Sequence, residues 1–235
     1  EPVNDLPVIT SLPIENSYLD NQYIYQVQID DPDNDVFFYE LSNNPDGMLI
    51  NSEGLVTWLP NKTGLYESIT IRIADSDLFD EFDEQIFNID IKVLQDFDFL
   101  SEGNNLISFI GLDNNDNSIQ SIFSPLENNL THIFTENYAS IFLDDFNNGS
   151  WFGSLDTLES QKGYWLRLEQ EDSFEIETYR FIDQDNEIEY NLHYGNNLLS
   201  YISQDVYSDI DDVLPDDIEN LFTDVIGENT SATRI

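Results

Sequence analysis

Apolar side chains recur at every second position in four separate runs within residues 6–94. Tyr23, Tyr25, Val27 and Ile29 alternate with Gln26, Gln28 and Asp30. Phe37, Tyr39 and Leu41 repeat the pattern. Ile69, Ile71 and Ile73 flank Thr70 and Arg72, and Phe87, Ile89, Ile91 and Val93 flank Asn88, Asp90 and Lys92. A period of two puts alternate side chains on opposite faces of an extended chain, which is the pattern of half-buried strands. Turn-forming runs separate them: Asp31-Pro32-Asp33-Asn34-Asp35, Asn43-Asn44-Pro45-Asp46-Gly47, Ser52-Glu53-Gly54 and Pro60-Asn61-Lys62-Thr63-Gly64. About seven short strands in about 95 residues predict an antiparallel two-sheet sandwich. Its expected core is Tyr25, Val27, Tyr39, Leu41, Trp58, Ile71, Ile73, Phe87 and Ile89.

The charge would argue against any compact fold if the apolar content were lower. The chain carries 48 Asp+Glu against 7 Lys+Arg, a formal net charge of −41. Yet 40% of residues are hydrophobic, including 16 Phe, 12 Tyr and 3 Trp, which excludes a disordered acidic tail. The acids are spread evenly: 19 against 3 bases in residues 1–95, 19 against 3 in 96–187, and 10 against 1 in 188–235. A nucleic-acid phosphate backbone would meet a strongly negative surface, so nucleic-acid binding is excluded. Insertion into a membrane is not expected, because no apolar run approaches the ~18 residues that span a bilayer. Self-repulsion at this charge is tolerable in high salt, where the Debye length falls to a few ångströms, or when divalent cations neutralise part of it. The composition fits an extracellular or cell-surface protein of a marine bacterium. There is no Cys, so neither disulfides nor thiolate chemistry is available. No charged-then-apolar leader stands at Glu1-Pro2-Val3-Asn4-Asp5 and the sequence stops abruptly after Thr233-Arg234-Ile235, so both ends read as cuts within a longer polypeptide.

The ordered set Pro2-Val-Asn-Asp-Leu-Pro-Val8, Tyr25-x-Val27, Asp31-Pro-Asp-Asn-Asp35, Tyr39-x-Leu41, Pro45-x-Gly47-Met48-x-Ile50, Gly54-x-x-x-Trp58-x-Pro60, Gly64-x-Tyr66, Ala74-Asp75 and Gln85-x-Phe87-x-Ile89 resembles a bacterial cadherin-like or immunoglobulin-like repeat. The resemblance covers residues 1–94. It departs at Asp80-Glu81-Phe82-Asp83, where relatives have a short Gly-rich turn. It implies a calcium site at one pole of the domain, with Asn4, Asp5, Asp31, Asp33 and Asp75 as ligands and Asp35 and Asp77 as further candidates. Calcium takes about six to eight oxygens, and the family completes its site with acids from a preceding domain. On residue type alone, Asp31–Asp35 also suits a solvated turn.

The second half contains an internal repeat. Gly103-Asn-Asn-Leu-Ile-Ser-Phe-Ile110 recurs 92 residues later as Gly195-Asn-Asn-Leu-Leu-Ser-Tyr-Ile202. Ile119, Ile122-Phe123 and Pro125 then match Ile210, Val213-Leu214 and Pro215. The first copy predicts a strand over 104–110, a short helix over 118–124 with Ser118 as N-cap, and strands near 131–143, 150–154, 163–168 and 173–182. Alternation of Ile188, Tyr190, Leu192 and Tyr194 predicts a strand leading into the second copy, followed by a strand over 196–202, helical stretches over 210–221 and a strand over 222–227. This half resembles the Gly-Trp-Asn-Leu-Ile-Ser and Gly-Tyr-Trp-Leu repeats of large secreted proteins of marine bacteria, with Asn104 and Asn196 in place of the first Trp. That resemblance implies a context and no activity. The expected fold is mainly β: a sandwich over 1–95, a β-rich α+β repeat module with short helices over 96–187, and an incomplete second copy over 188–235. The domain boundary is expected at 94–98, where Val93-Leu94 ends the last alternating strand.

No catalytic motif is visible. His132 and His193 stand apart, and no Ser/His/Asp set, metal-binding His pair or phosphate-cradling Gly loop occurs. With 48 acids, some carboxylate pairs at glycosidase spacing are guaranteed by abundance, so the expectation is no enzyme. The loops Asp113–Asn117, Asp144–Gly149 and Asp183–Glu187 lack the EF-hand pattern and read as solvated turns. Trp58 and Trp165 sit within strands and are expected in cores. Trp151, after an Asn-Asn-Gly-Ser turn, either packs or stacks on a sugar ring, with packing expected. The leading expectation is a segment of a large modular surface protein acting as a Ca²⁺-stiffened structural and adhesive spacer, with neighbouring domains of the same polypeptide as partners. The alternatives are a carbohydrate-binding accessory region of a secreted polysaccharide-degrading enzyme, with surface glycans as partners, and a filament or layer subunit joined to identical subunits. An exposed aromatic platform with adjacent amides is the feature that would favour carbohydrate binding.

Overall fold

The computed structural model describes residues 5–32, 36–76, 78–113, 115–143, 149–184, 188–202, 221–226 and 231–233. The protein is mainly β and divides into two units, Glu1–Leu94 and Gln95–Ile235.

In the first unit the strands are β1 (Val8–Ile9), β2 (Asn16–Tyr18), β3 (Tyr23–Gln26), β4 (Ile29–Asp30), β5 (Phe38–Ser42), β6 (Leu49–Ile50), β7 (Leu55–Trp58) and β8 (Gly64–Ala74), followed by β9 (Asp83–Leu100). One sheet has β8 between β5 and β9, with β2 alongside β9; a second has the order β3-β7-β6, and β1 pairs with β4. The β2–β9 pairing is parallel, a departure from the all-antiparallel sandwich read from the sequence. The alternation has its physical consequence here. Tyr23, Tyr25, Val27, Val56 and Trp58 from one sheet meet Ile69, Ile71, Ile73, Phe87, Ile89 and Ile91 from the other in one core. Tyr39 and Leu41 are half-buried at its margin. They lie on β5, which has a partner on one side only. Trp58 donates from Nε1 to the Asp46 carbonyl at 3.2 Å, so its polar atom is satisfied. Phe82, in the run that departs from the Gly-rich turn, lies under the Arg72 guanidinium, 4.8 Å from the ring centre.

Strand β9 does not stop at Leu94 as the sequence suggested. It continues through Leu100, because Phe97 and Leu100 carry the apolar pattern into the second unit's core. That unit adds β10 (Gly103–Ser108), a one-turn helix α1 (Ile119–Ile122), β11 (Leu130–Thr135), β12 (Tyr138–Leu143), β13 (Ser150–Gly153), β14 (Gly163–Leu168), β15 (Asp172–Thr178), β16 (Asp224–Ile226) and β17 (Ser231–Thr233). Five strands form a sheet in the order β10-β14-β11-β12-β13, while β15 pairs with β9. The core gathers Ile107, Leu130, Ile133, Tyr164, Leu166 and Leu168 from the five-stranded sheet with Phe97, Phe109, Phe123 and Phe174. Phe97 and Phe174 stack at 4.4 Å with planes 6° apart. Helix α1 is held as predicted: Ser118 Oγ accepts from the Ser121 amide at 3.2 Å.

Three expected strands differ. Residues 131–143 form a hairpin, β11 and β12, because Asn137 takes a φ of 65° and reverses the chain without Gly or Pro. Residues 188–202 form no regular strand. Ile188, Leu192 and Tyr194 are exposed, so the alternation there has no sheet face to bury. A bridge between Leu199 and Lys162 is present, with the Ser200 amide donating to the Gln161 carbonyl at 3.1 Å and the Gly163 amide to the Leu198 carbonyl at 3.4 Å. The second-copy helices expected over 210–221 lie, up to residue 220, outside the described residues.

The repeat nevertheless reproduces a turn. Asn105 Oδ1 accepts from the Ser101 amide (2.7 Å), and its Nδ2 donates to the carbonyls of Ser101 (2.8 Å) and Gly103 (3.4 Å). Ninety-two residues on, Asn197 makes the same three bonds to His193 N, His193 O and Gly195 O at 2.9, 3.0 and 3.3 Å. Gly103 and Gly195 both have positive φ, 96° and 109°. A Gly in that region followed by an amide reaching back around it forms one local structure twice.

His193 Nε2 also bonds Glu136 Oε1, tying the second copy to the β11–β12 turn. The Glu136 bond raises the His193 pKa, and the same bond lowers that of Glu136. The His contribution is present below its ordinary value near 6.5 and is lost as pH rises through the raised one. The Glu contribution is present above about 4.5 and is lost as pH falls through the lowered one. The clasp is therefore expected to hold best between those values. An NMR titration should place His193 above 6.5, and protection of the Leu198 amide, which donates to Glu136 Oε2 at 3.4 Å, should weaken from pH 6 to pH 8. A His193 midpoint at or below its ordinary value would contradict this.

Candidate functional site on the outer sheet face

Alternation in the five-stranded sheet buries one face and leaves the other to solvent. On β14, Tyr164, Leu166 and Leu168 point into the core, while Trp165 and Arg167 stand on the outer face. On β11, Ile133 points in and His132 and Phe134 out. The register then aligns outer-face side chains in two rows. One row runs Leu106, Trp165, Phe134, Ala139; the other runs Asn104, Arg167, His132, Ile141, Phe152. The Trp165 and Phe134 rings lie within 18° of parallel, 6.3 Å apart between centroids, and both are half-buried. Ile141 and Phe152 are 37% and 58% exposed, so the apolar surface extends to the β13 edge.

Beside the second row, at the strand ends next to Arg167 and His132, lies an open cleft of about 690 Å³ lined by Glu102, Gly103, Thr131, His132, Arg167 and Glu169, among others. The local hydrogen bonds fix its floor. Thr131 Oγ1 donates to the Arg167 carbonyl at 3.0 Å, and His132 Nδ1 lies 2.9 Å from Thr131 Oγ1. The site therefore offers flat apolar ring surface beside a guanidinium, an imidazole, an amide and two carboxylates. That arrangement suits a ligand with an apolar face and a polar edge.

The sequence expectations for the three Trp fared differently. Trp58 is in the first core, and Trp151 packs against the second, edge-on to Phe142 at 5.3 Å. Trp165 is not in a core. Its parity was the readable signal: it shares the phase of Arg167, opposite to Tyr164, Leu166 and Leu168. His132, taken from the sequence as isolated, sits beside Arg167 through pairing that the linear chain does not display.

Of the expected calcium ligands, Asn4 and Asp33 lie outside the described residues, as do Asp35 and Asp77. Asp5 is exposed, and Asp31 and Asp75 are half-buried. Asp31 opens the connection from β4 to β5. Asp75 follows β8, whose last residue pairs with the first of β5. Asp5 precedes β1, whose Val8 pairs with Asp30. Register thus sets all three at strand ends around the 31–37 connection. Among the described residues no group of three or more His, Asp or Glu side chains is close enough together to hold a metal ion. Asp113 caps its own turn, accepting from the Asn115 amide at 2.9 Å, and Asp183 pairs with Arg180 at 2.8 Å.

No protein-family model matches the chain, and no curated protein matches it. Among solved structures, a candidate α-galactosidase of Bacteroides fragilis is similar over 37% of this chain and 18% of its own, at 18% identity and a TM-score of 0.32. A candidate α-galactosidase/melibiase of the same organism gives 37%, 18%, 18% and 0.30. Human protocadherin-24 EC1-2 is similar over 74% of this chain and 97% of its own, at 12% identity and a TM-score of 0.28. The match to the two bacterial proteins spans less than a fifth of their length.

Proposed function

We propose that the chain is a segment of a modular extracellular protein whose second unit binds carbohydrate on the outer face of its five-stranded sheet. The observation that carries this reading is the Trp165–Phe134 ring pair on a solvent-facing sheet, bordered in register by Asn104, Arg167 and His132. A sugar ring has apolar C–H faces and a hydroxyl edge. Rings receive the face, and the amide, guanidinium and cleft carboxylates receive the edge. The role is binding, with no reaction assigned to these residues. A nucleic-acid ligand is opposed by the charge of −41. The test is a glycan array followed by titration calorimetry on the best ligand. Trp165→Ala should weaken binding at least about tenfold, equivalent to ~1.4 kcal/mol, with little change in melting temperature. Wild-type protein that retains no glycan, or a Trp165→Ala variant that binds like it, would refute the reading.

The first unit supports a second reading, a Ca²⁺-stiffened spacer, through the strand-end placement of Asp5, Asp31 and Asp75. Calcium binding only the folded state would add about 2.7 kcal/mol at a hundredfold excess over Kd. Calcium should raise the melting temperature more than equimolar magnesium, and Asp31→Asn should reduce the difference. Equal responses to the two ions would mean charge screening alone.

A further inference from the structure

We propose that the outer-face site selects an acidic sugar, with the anionic group on the sugar bound by Arg167 while the ring stacks on Trp165 and Phe134. The proposal rests on the carbohydrate-binding reading and adds the class of ligand to it. It starts from how this chain uses its few cations. Of the six Lys and Arg side chains among the described residues, four are paired with acids. Arg72 bonds Glu84 and Glu40, Lys92 bonds Asp90, Lys162 bonds Glu159 and Arg180 bonds Asp183. In a chain with 48 acids that is the expected state of a cation. Lys62, in the turn before β8, and Arg167 differ: no described acidic side chain pairs with either, and of the two only Arg167 stands on the outer face of the five-stranded sheet. Its neighbours along the row are Asn104 on β10, whose amide can donate to an anion, and His132 on β11, whose Nδ1 is taken up by Thr131 Oγ1. Glu102 and Glu169 line the same cleft without pairing with Arg167, which leaves them to accept from sugar hydroxyls.

A guanidinium presents parallel N–H groups that match a carboxylate or a sulfate ester, so the geometry points to either anion on the ring. The position matters as much as the charge. Arg167 follows Trp165 by two residues on the same face of β14, about 7 Å along the strand. That is close to the span of one sugar ring with its substituent, so stacking and charge pairing can act on one residue of the glycan.

Net charge gives the proposal a distinctive signature. At low salt the field of a −41 protein opposes any anionic polymer. Salt shortens that field to about 3 Å near 1 M, while a close, partly desolvated Arg contact is screened far less. Binding of an acidic glycan should therefore strengthen as salt rises from about 20 mM towards seawater strength, the reverse of ordinary charge-driven binding. A neutral glycan should show no such trend.

The experiment titrates the full chain with tetragalacturonate, a sulfated galactotetraose and neutral galactotetraose, at low and high salt. At least one acidic ligand should bind ten times or more tightly than the neutral one at high salt. Arg167→Gln should lower it to the neutral level, and Trp165→Ala should weaken all three. Tight binding of the uronate alone identifies a carboxylate site, and of the sulfated sugar alone a sulfate site. Neutral binding equal to acidic binding, or an acidic preference that survives Arg167→Gln, overturns this proposal and leaves the ring platform standing. Loss of all binding in the wild type overturns both. Melting curves of the two variants, whose changes lie outside the core, check that each remains folded.

Discussion

Gly111→Ala should lower the melting temperature of the second unit by about 10 °C, the equivalent of ~3 kcal/mol or more. A Cβ added at Gly111 would lie 1.7 Å from the Tyr179 carbonyl oxygen and 2.7 Å from the Phe181 nitrogen. Both are backbone atoms, so no rotamer change relieves the overlap. The same approach lets the Phe181 amide donate to the Ile110 carbonyl at 3.0 Å, and separating the chains breaks that bond. Phe109 and Leu112 flank the site in the sequence and are both buried. Moving the backbone therefore disturbs the aromatic cluster in which Phe109 touches Phe97 and Tyr164 at 5.5 and 5.8 Å. Gly103 is the control: a Cβ there meets nothing within 4 Å, and the cost is only that of its φ of 96°. Hydrogen exchange should localise the Gly111→Ala damage to residues 95–202 and leave the amides of Ile69–Ile73 protected. An unchanged melting curve would mean that the Ile110–Phe181 crossing is not fixed as described.

The first unit was legible because its information is local. Each strand from Tyr23 to Val93 states its own buried face by alternation, and Asn, Asp, Gly and Pro mark the reversals. The second unit failed to be legible where meaning depends on a partner. Ile188, Tyr190, Leu192 and Tyr194 alternate as well as any true strand, but among the described residues no strand pairs with them to make the period count. The Glu136-Asn137 reversal was hidden because Asn137 takes the left-handed conformation without a Gly. The candidate site shows the same limit. Trp165 could be placed outside by its phase, yet its neighbours Phe134 and Leu106 come from strands some 30 and 60 positions away, and only register brings them together.

The duplicated Gly-Asn-Asn turn separates local structure from its burial, and the two Asn should respond very differently to substitution. Asn105 is 3% exposed. Ser101 itself is exposed, but the Asn105 side chain is enclosed, so removing its amide empties a buried site and breaks three part-buried bonds at once, and a buried hydrogen bond left unmade costs about 1–3 kcal/mol. Asn105→Ala should therefore cost ~2–3 kcal/mol and lower the melting temperature of the second unit by several degrees. Asn197 makes the same bonds on a half-buried segment, where His193 and Gly195 are exposed and water replaces what is lost. Asn197→Ala should cost well under ~1 kcal/mol. Asn105→Asp sharpens the comparison. The carboxylate still accepts from the Ser101 amide but has no N–H for the Ser101 and Gly103 carbonyls, and it places charge in a buried turn, so it should be at least as damaging as Ala. Thermal melts of the three variants decide the matter. Equal losses at positions 105 and 197 would show that the second turn is as much a part of the folded core as the first. A small loss at both would show that the amide bonds form in the folded protein without stabilising it.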